Sequence, residues 1–154
     1  MPKIDAASAP IVTGSRYPGD LAEPCRTRHN RQLGIAAGLT QFGVNLTTLP
    51  PGAWSSQRHW HEAEDEFVYI VSGEAVLIDD DGEHVLHVGD SAGFKAGVRN
   101  GHHLINRSAA DAVFLTVGSR NNADFGEYPD IDLKFLPGRY TGGGGFSKKD
   151  GSSY

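Results

Sequence analysis

The sequence predicts an all-β domain, a sandwich or barrel of short strands, on three observations. Twenty glycines and eight prolines fall within 154 residues, a density of turn formers that suits many short connections better than a helical bundle. Apolar residues alternate with small or polar ones at period two in several short runs, the pattern of half-buried strands. Turn signals recur about every eight to twelve residues, and no stretch carries a convincing helical period.

Taken in order, residues 1–32 are irregular. Pro10, Pro18 and Pro24 break any period, and the segment reads as an N-terminal arm lying across the domain. The barrel proper is expected over residues 33–136. Phe42, Val44 and Leu46 mark the first strand, closed by Leu49-Pro50-Pro51-Gly52. A second runs from Phe67 to Val71 and turns at Ser72-Gly73. The run EAVLI and the returning EHVLHVGD form a hairpin about Asp79-Asp80-Asp81-Gly82, because Asp and Gly tolerate the positive φ of tight turns. HHLIN and AVFLTVG follow, and YPDIDLKFL supplies one further strand. Residues 137–154 are glycine-rich and polar. Four consecutive glycines, Gly142 to Gly145, read as a flexible tail, since no helix follows to make a phosphate cradle.

Composition excludes some functions. A formal charge of −5 argues against nucleic-acid backbones as partners, although a local basic pocket can still hold a small anion. No apolar run approaches the roughly 18 residues that span a membrane, and the opening residues lack the apolar middle of a signal peptide. The expectation is a cytoplasmic protein without membrane contact. Cys25 is the one cysteine, so no internal disulfide forms and a small semi-buried side chain is expected. Asn45 and Asn106 open N-x-S/T triplets by chance.

The densest set of potential ligands is His59-Trp60-His61-Glu62-Ala63-Glu64-Asp65-Glu66. Residues two apart on a strand share a face, so His59 and His61 present two imidazoles to one point. Glu66 lies five residues beyond His61, and a loop or bulge must reset the register before it turns inward. Glu62, Glu64 and Asp65 are expected to face water in that loop. Trp60 should point the other way and pack. The competing reading is a solvated acidic turn with two surface histidines.

The surroundings decide between them. Gly52, His59, His61, Glu66 and Gly73 resemble the first motif of the cupin superfamily, and Gly89, Gly97, His102 and Asn106 resemble the second, over roughly residues 40–118. Lys95 replaces a proline of the second motif, the gap from Gly97 to His102 is longer than usual, and one extra residue separates Gly52 from His59. No ligand is lost. The resemblance implies a jelly-roll double-stranded β-helix and one divalent metal ion held by His59, His61, Glu66 and His102. The H-x3-N spacing to Asn106 selects His102, and strand alternation then points His103 away. Three imidazoles and one carboxylate suit Mn, Fe, Ni, Co or Zn. The remaining coordination positions are open to a substrate oxygen, with Glu66 as the candidate catalytic carboxylate.

The resemblance implies a wide range of activities. The first reading is a metal-dependent enzyme, of isomerase or dioxygenase type, on a small oxygenated metabolite such as a sugar, sugar phosphate or organic acid. The order of the motifs resembles small bacterial cupins that carry a sugar-phosphate-isomerase label. The alternative is a non-catalytic module that binds or senses a small ligand. With Glu66 inward, Val68 and Ile70 should line the pocket, and Phe67, Tyr69 and Val71 then need a second cover, which a homodimer supplies. Lys95 and Arg99 are candidates for an anion-attracting rim. His29, His84 and His87 are expected to be structural or exposed, one of the last pair semi-buried.

Overall fold

The computed structural model describes residues 3–154. Its strands are β1 (Ile11–Thr13), β2 (His29–Arg31), β3 (Phe42–Leu49), β4 (Glu66–Ser72), β5 (Ala75–Asp79), β6 (Gly82–Leu86), β7 (Ser91–Phe94), β8 (His103–Ile105), β9 (Ala112–Ser119), β10 (Gly126–Tyr128), β11 (Leu133–Phe135) and β12 (Phe146–Ser147). They form a six-stranded sheet in the order β1-β2-β3-β9-β4-β7 and two three-stranded sheets, β6-β5-β8 and β10-β11-β12. All pairings are antiparallel. This is the jelly-roll double-stranded β-helix that the motifs imply.

The main core lies between the large sheet and the β6-β5-β8 sheet. Leu49, Val68, Ile70 and Phe114 come from one wall, and Ala75, Leu77, Leu86 and Leu104 from the other. On β4 the alternation follows the sequence. Val68 and Ile70 are buried, while Phe67, Tyr69 and Val71 are exposed. Phe67 pairs in register with Val117 and Tyr69 with Leu115, so the outer face of this sheet carries a row of apolar side chains. A bulge at Val71 lets β4 bend before the Ser72-Gly73 turn. Gly73 has φ of +72°, and a Cβ there would stand 2.4 Å from Asp111 O, so that turn demands glycine.

Asn106 fastens the opposite loop. Fully buried, it donates from Nδ2 to Leu49 O and Ala110 O, each at 2.7 Å. Its Oδ1 accepts from Ser108 N and Ser108 Oγ. That burial is incompatible with a glycan.

The structure departs from expectation at the two ends and in three details. The arm is tied into the sheet: β1 pairs with β2 and β2 with β3. A strand of three residues is too short for its period to be read. The tail is tied in too, because β12 pairs with β11 and Phe146 packs on a second cluster of Tyr128, Leu133 and Phe135. YPDIDLKFL does not make one strand; β10 and β11 form a hairpin across it. Small residues hid β7, Ser-Ala-Gly-Phe. Helical backbone is present as one α turn, α1 (Leu33–Ala36), and two 3-10 turns at Ala6–Ser8 and Gly19–Cys25. Cys25 is fully buried, and burial pushes its thiol up to about 11. No helix among the described residues is long and apolar enough to cross a membrane.

Candidate metal centre

The His59–His61 segment is held extended from both sides. His59 N–H donates to His102 O at 3.2 Å, and His102 N–H donates to His59 O at 2.9 Å. On the other edge, Trp60 N–H donates to Glu127 O and Glu62 N–H to Phe125 O. That approach needs Gly126, where a Cβ would stand 1.9 Å from Trp60 O. Alternation then does what the spacing requires. The two imidazoles face inward, while Trp60 is buried against Phe125 with the Arg99 guanidinium 4.9 Å from its ring.

The acidic loop resets the register. Asp65 accepts Ala96 N–H on its side chain and Ser119 N–H on its carbonyl, and Glu66 enters β4 facing the interior. Glu62 and Asp65 stay near water, but Glu64 does not. It is buried, against expectation, because Arg139, Tyr140 Oη at 3.1 Å and Asn121 N–H at 2.8 Å satisfy its carboxylate.

Glu66 Oε2 is the point of convergence. His102 Nε2 lies 2.9 Å from it, His61 Nε2 3.4 Å and His59 Nε2 3.7 Å. His59, His61 and Glu66 each offer a donor atom within 4.8 Å of the others. His102 joins them through its contact with Glu66, and its ring stacks on Phe94 at 3.5 Å. His103 points away: its Nδ1 lies 2.9 Å from Ser56 O and its ring meets Trp54 edge-on.

The far side of the His59 ring decides which of its nitrogens is free. His59 Nδ1 lies 2.9 Å from Gln57 O, and a carbonyl only accepts, so Nδ1 carries the proton and Nε2 the lone pair. His61 Nδ1 lies 2.7 Å from Asp124 Oδ2. His102 Nδ1 is buried without a partner. Burial pushes His59 down to about 3, helped by the neighbouring His61 charge. Burial also opposes a charged His61, but Glu66 and Asp124 outweigh it and hold that imidazole at about 9. For Glu66, burial is outweighed by His61 and by the His102 hydrogen bond, so its carboxyl sits well below the usual range.

Behind His61 lies a network absent from any sequence motif. Asp124 is fully buried and accepts from His61 Nδ1, from Ala63 N–H at 2.8 Å and from Arg139 Nη2 at 2.9 Å. Arg139 also bonds Glu64. The cationic guanidinium makes the His61, Glu64 and Asp124 group an ion-pair network, with Arg139 where a metal would otherwise sit. Asp124 lies in a loop and Arg139 in the glycine-rich tail, so no spacing rule could have joined them.

The cluster opens into a cavity of about 410 Å³. Val68, Phe94, Leu104 and Phe114 form its apolar wall, and Asn45, Thr47 and Thr116 add polar groups. Ile70, expected in the lining, is instead part of the core. Lys95 and Arg99 are not part of the lining either; Arg99 is exposed and lies 3.4 Å from Glu62. The arginines that face the cavity are Arg16, Arg28 and Arg139. His84, near Asp79, and His87 are both exposed.

Known proteins share this fold. The family model described as "Cupin domain" matches residues 45–118. A crystal structure of a sugar phosphate isomerase from a cupin superfamily, from Silicibacter pomeroyi, is 46% identical with a TM-score of 0.94, covering 99% of this chain and 96% of that one. A protein of Acidithiobacillus ferrooxidans, provisionally assigned as a sugar phosphate isomerase, is 27% identical with a TM-score of 0.77, covering 88% and 87%. A predicted oxalate decarboxylase of Thermotoga maritima, 23% identical with a TM-score of 0.58 and covering 77% and 99%, shares the fold alone. No curated protein sequence matches the chain.

Proposed function

Given that the chain belongs to the cupin superfamily, we propose that it is a metal-dependent enzyme of isomerase type. Its substrate is a small oxygenated metabolite, a sugar or sugar phosphate, taken into the barrel cavity. His59, His61, Glu66 and His102 hold one divalent ion of Mn, Fe, Ni, Co or Zn. The observation that carries this is the convergence of three Nε2 atoms on one Glu66 oxygen, with the His59 lone pair fixed inward by the Nδ1 contact on its far side.

The donor set fits such an ion. Once His61 has given up its proton, three imidazole nitrogens and one anionic oxygen suit a borderline divalent metal and leave the centre net positive. When bound, the ion supplies Lewis-acid polarisation of a substrate oxygen. The rest falls to the chain. Glu66, ionised and facing the cavity, can hold or move a proton beside that oxygen. Phe94, Phe114, Val68 and Leu104 give the cavity an apolar wall beside the cluster. The Silicibacter and Acidithiobacillus proteins support isomerisation over dioxygenation as the reaction class.

The test has two parts. Metal analysis of protein purified without added metal should find about one ion per chain, sharply reduced in His59→Ala, His61→Ala and His102→Ala. His84→Ala and His103→Ala should retain it. Aldose and ketose phosphates incubated with the loaded protein in D2O should then interconvert. A site emptied by His103→Ala but not by His102→Ala refutes the ligand set, and saturable binding without turnover refutes the enzyme.

A further inference from the structure

Three arginines line a cavity whose lining holds one carboxylate, Glu66. Arg139 is neutralised from behind by Glu64 and Asp124. Arg16 and Arg28 form no ion pair among the described residues. A guanidinium cannot shed its proton; exposed Arg16 is solvated, but part-buried Arg28 keeps its charge with little water around it, which favours an anion nearby.

Arg28 is held as a built group. Its Nη2 donates to Gly14 O at 2.6 Å and its Nη1 donates to Ser55 O. Its backbone is fixed as well, donating to Cys25 O and accepting from Gly14 N–H. Two carbonyls orient the fork but carry no net charge. Arg28 Nε is buried without an acceptor, and so is the hydroxyl of Ser15, which lines the same cavity. Two buried polar atoms without partners beside one cavity leave hydrogen-bonding capacity that a water or an anion oxygen can fill. All three residues belong to the segment joining β1 to β2.

We infer that Ser15, Arg16 and Arg28 form an anion subsite, which takes the phosphate or carboxylate group of a small hydroxylated metabolite whose oxygens face Glu66. Its role in substrate recognition rests on the reading of this cavity as a substrate site; anion binding by itself does not. The two ends of the cavity then have separate tasks. The imidazole–carboxylate end meets oxygens that undergo chemistry, and the arm end meets a charge that does not. Asn45, Thr47 and Thr116 supply hydrogen bonds to hydroxyls of the ligand. A cavity of about 410 Å³ is at the small end of the range for metabolite sites, roughly 300–1,000 Å³.

The experiment begins with full-length protein stripped of metal by a chelator. Inorganic phosphate and malonate, each compared with chloride at equal ionic strength, should raise the thermal midpoint of the parent. The gain should shrink in Arg16→Gln and Ser15→Ala and vanish in Arg28→Gln. Arg16 is exposed and makes no structural bond, so its variant tests the idea even if Arg28→Gln fails to fold. Metal-loaded protein is then titrated with ribose 5-phosphate against ribose, and with gluconate against glucose. The charged member of at least one pair should bind roughly 10-fold tighter or more, and that ratio should fall toward one in the arginine variants. The pair that shows the effect identifies the anion. No anion-specific gain in the parent, or an equal gain in Arg16→Gln and Arg28→Gln, overturns the subsite. Loss of the metal centre leaves the metal-free arm unaffected, so the two failures are told apart.

Discussion

Replacing Asp124 with Asn changes one atom and should weaken metal binding without removing any proposed ligand. The carboxylate serves three donors: Ala63 N–H on Oδ1, and His61 Nδ1 and Arg139 Nη2 on Oδ2. Asn offers one acceptor oxygen and one NH2. If the oxygen faces Ala63, the NH2 opposes both His61 Nδ1 and Arg139, and the imidazole must place its lone pair on Nδ1 to accept. Nε2 then carries the proton and cannot ligate. If the oxygen faces His61, the NH2 opposes Ala63 N–H, and the loop that sets the Glu66 register loses its anchor. Either orientation penalises the ligand geometry. Loss of such an outer partner typically costs about 10- to 100-fold in metal affinity, or about 1.4–2.7 kcal/mol.

The assay is competition against a chelator of known affinity at neutral pH, with the thermal midpoint measured in parallel. Arg139→Gln is the control, because it leaves the Asp124–His61 contact in place and should cost much less affinity. Asp124→Asn protein that competes for metal as well as the parent would refute the view that the Nδ1 contact sets the His61 lone pair. Equal losses in both variants would place the effect in the charge of the network instead.

Other outcomes follow from the same geometry. Glu66→Gln should lower metal affinity, because the set loses its one anionic ligand, and turnover should stay below the parent after metal is added to equal occupancy; equal turnover would confine Glu66 to holding the ion. Asn106→Ala leaves Leu49 O and Ala110 O without their buried donor and should cost about 2–4 kcal/mol in urea denaturation, with a loss under about 1 kcal/mol counting against the account. Phe67, Tyr69 and Val71 should be covered by a second copy, so light scattering at micromolar concentration should give twice 16.5 kDa, and a monomer mass would reject the dimer.

Much of the barrel was legible because each strand that builds it states its own period. Glu66, Val68 and Ile70 face one way and Phe67, Tyr69 and Val71 the other, as alternation requires. The histidine pair was legible for the same reason, and His102 because its spacing to Asn106 marks one loop. Glu64 was misread because an acidic run resembles a solvated turn until a cation is known to sit behind it. That cation is Arg139, 75 residues away. Arg28, Ser15 and Asp124 were invisible on the same ground: their roles depend on long-range contacts from three-residue strands and loops, where no local pattern exists to read.

That difference separates two kinds of determinant. The imidazoles and Glu66 lie within residues 45–118, the stretch the family model matches, and are placed by sheet pairing and by the acidic loop before β4. Such placement tolerates wide sequence change as long as the alternation survives. Arg16, Arg28 and Arg139 lie outside that stretch, in segments tied down by short strands and by a few long-range contacts, those of Arg28 with two carbonyls and of Arg139 with Glu64 and Asp124. An insertion in the arm or tail would move these charges without disturbing the imidazoles. The physical expectation is that chemistry at the Glu66 end persists across barrels of this kind, while the charge a ligand must carry changes with the arm. The Silicibacter relative covers 99% of this chain, arm and tail included, so it is the comparison in which both ends can be exchanged. Grafting its residues 1–32 equivalent onto this barrel should leave metal content unchanged, and any change in the preference between charged and neutral ligands should then follow the arginines the graft carries; a graft that empties the metal site would refute the separation.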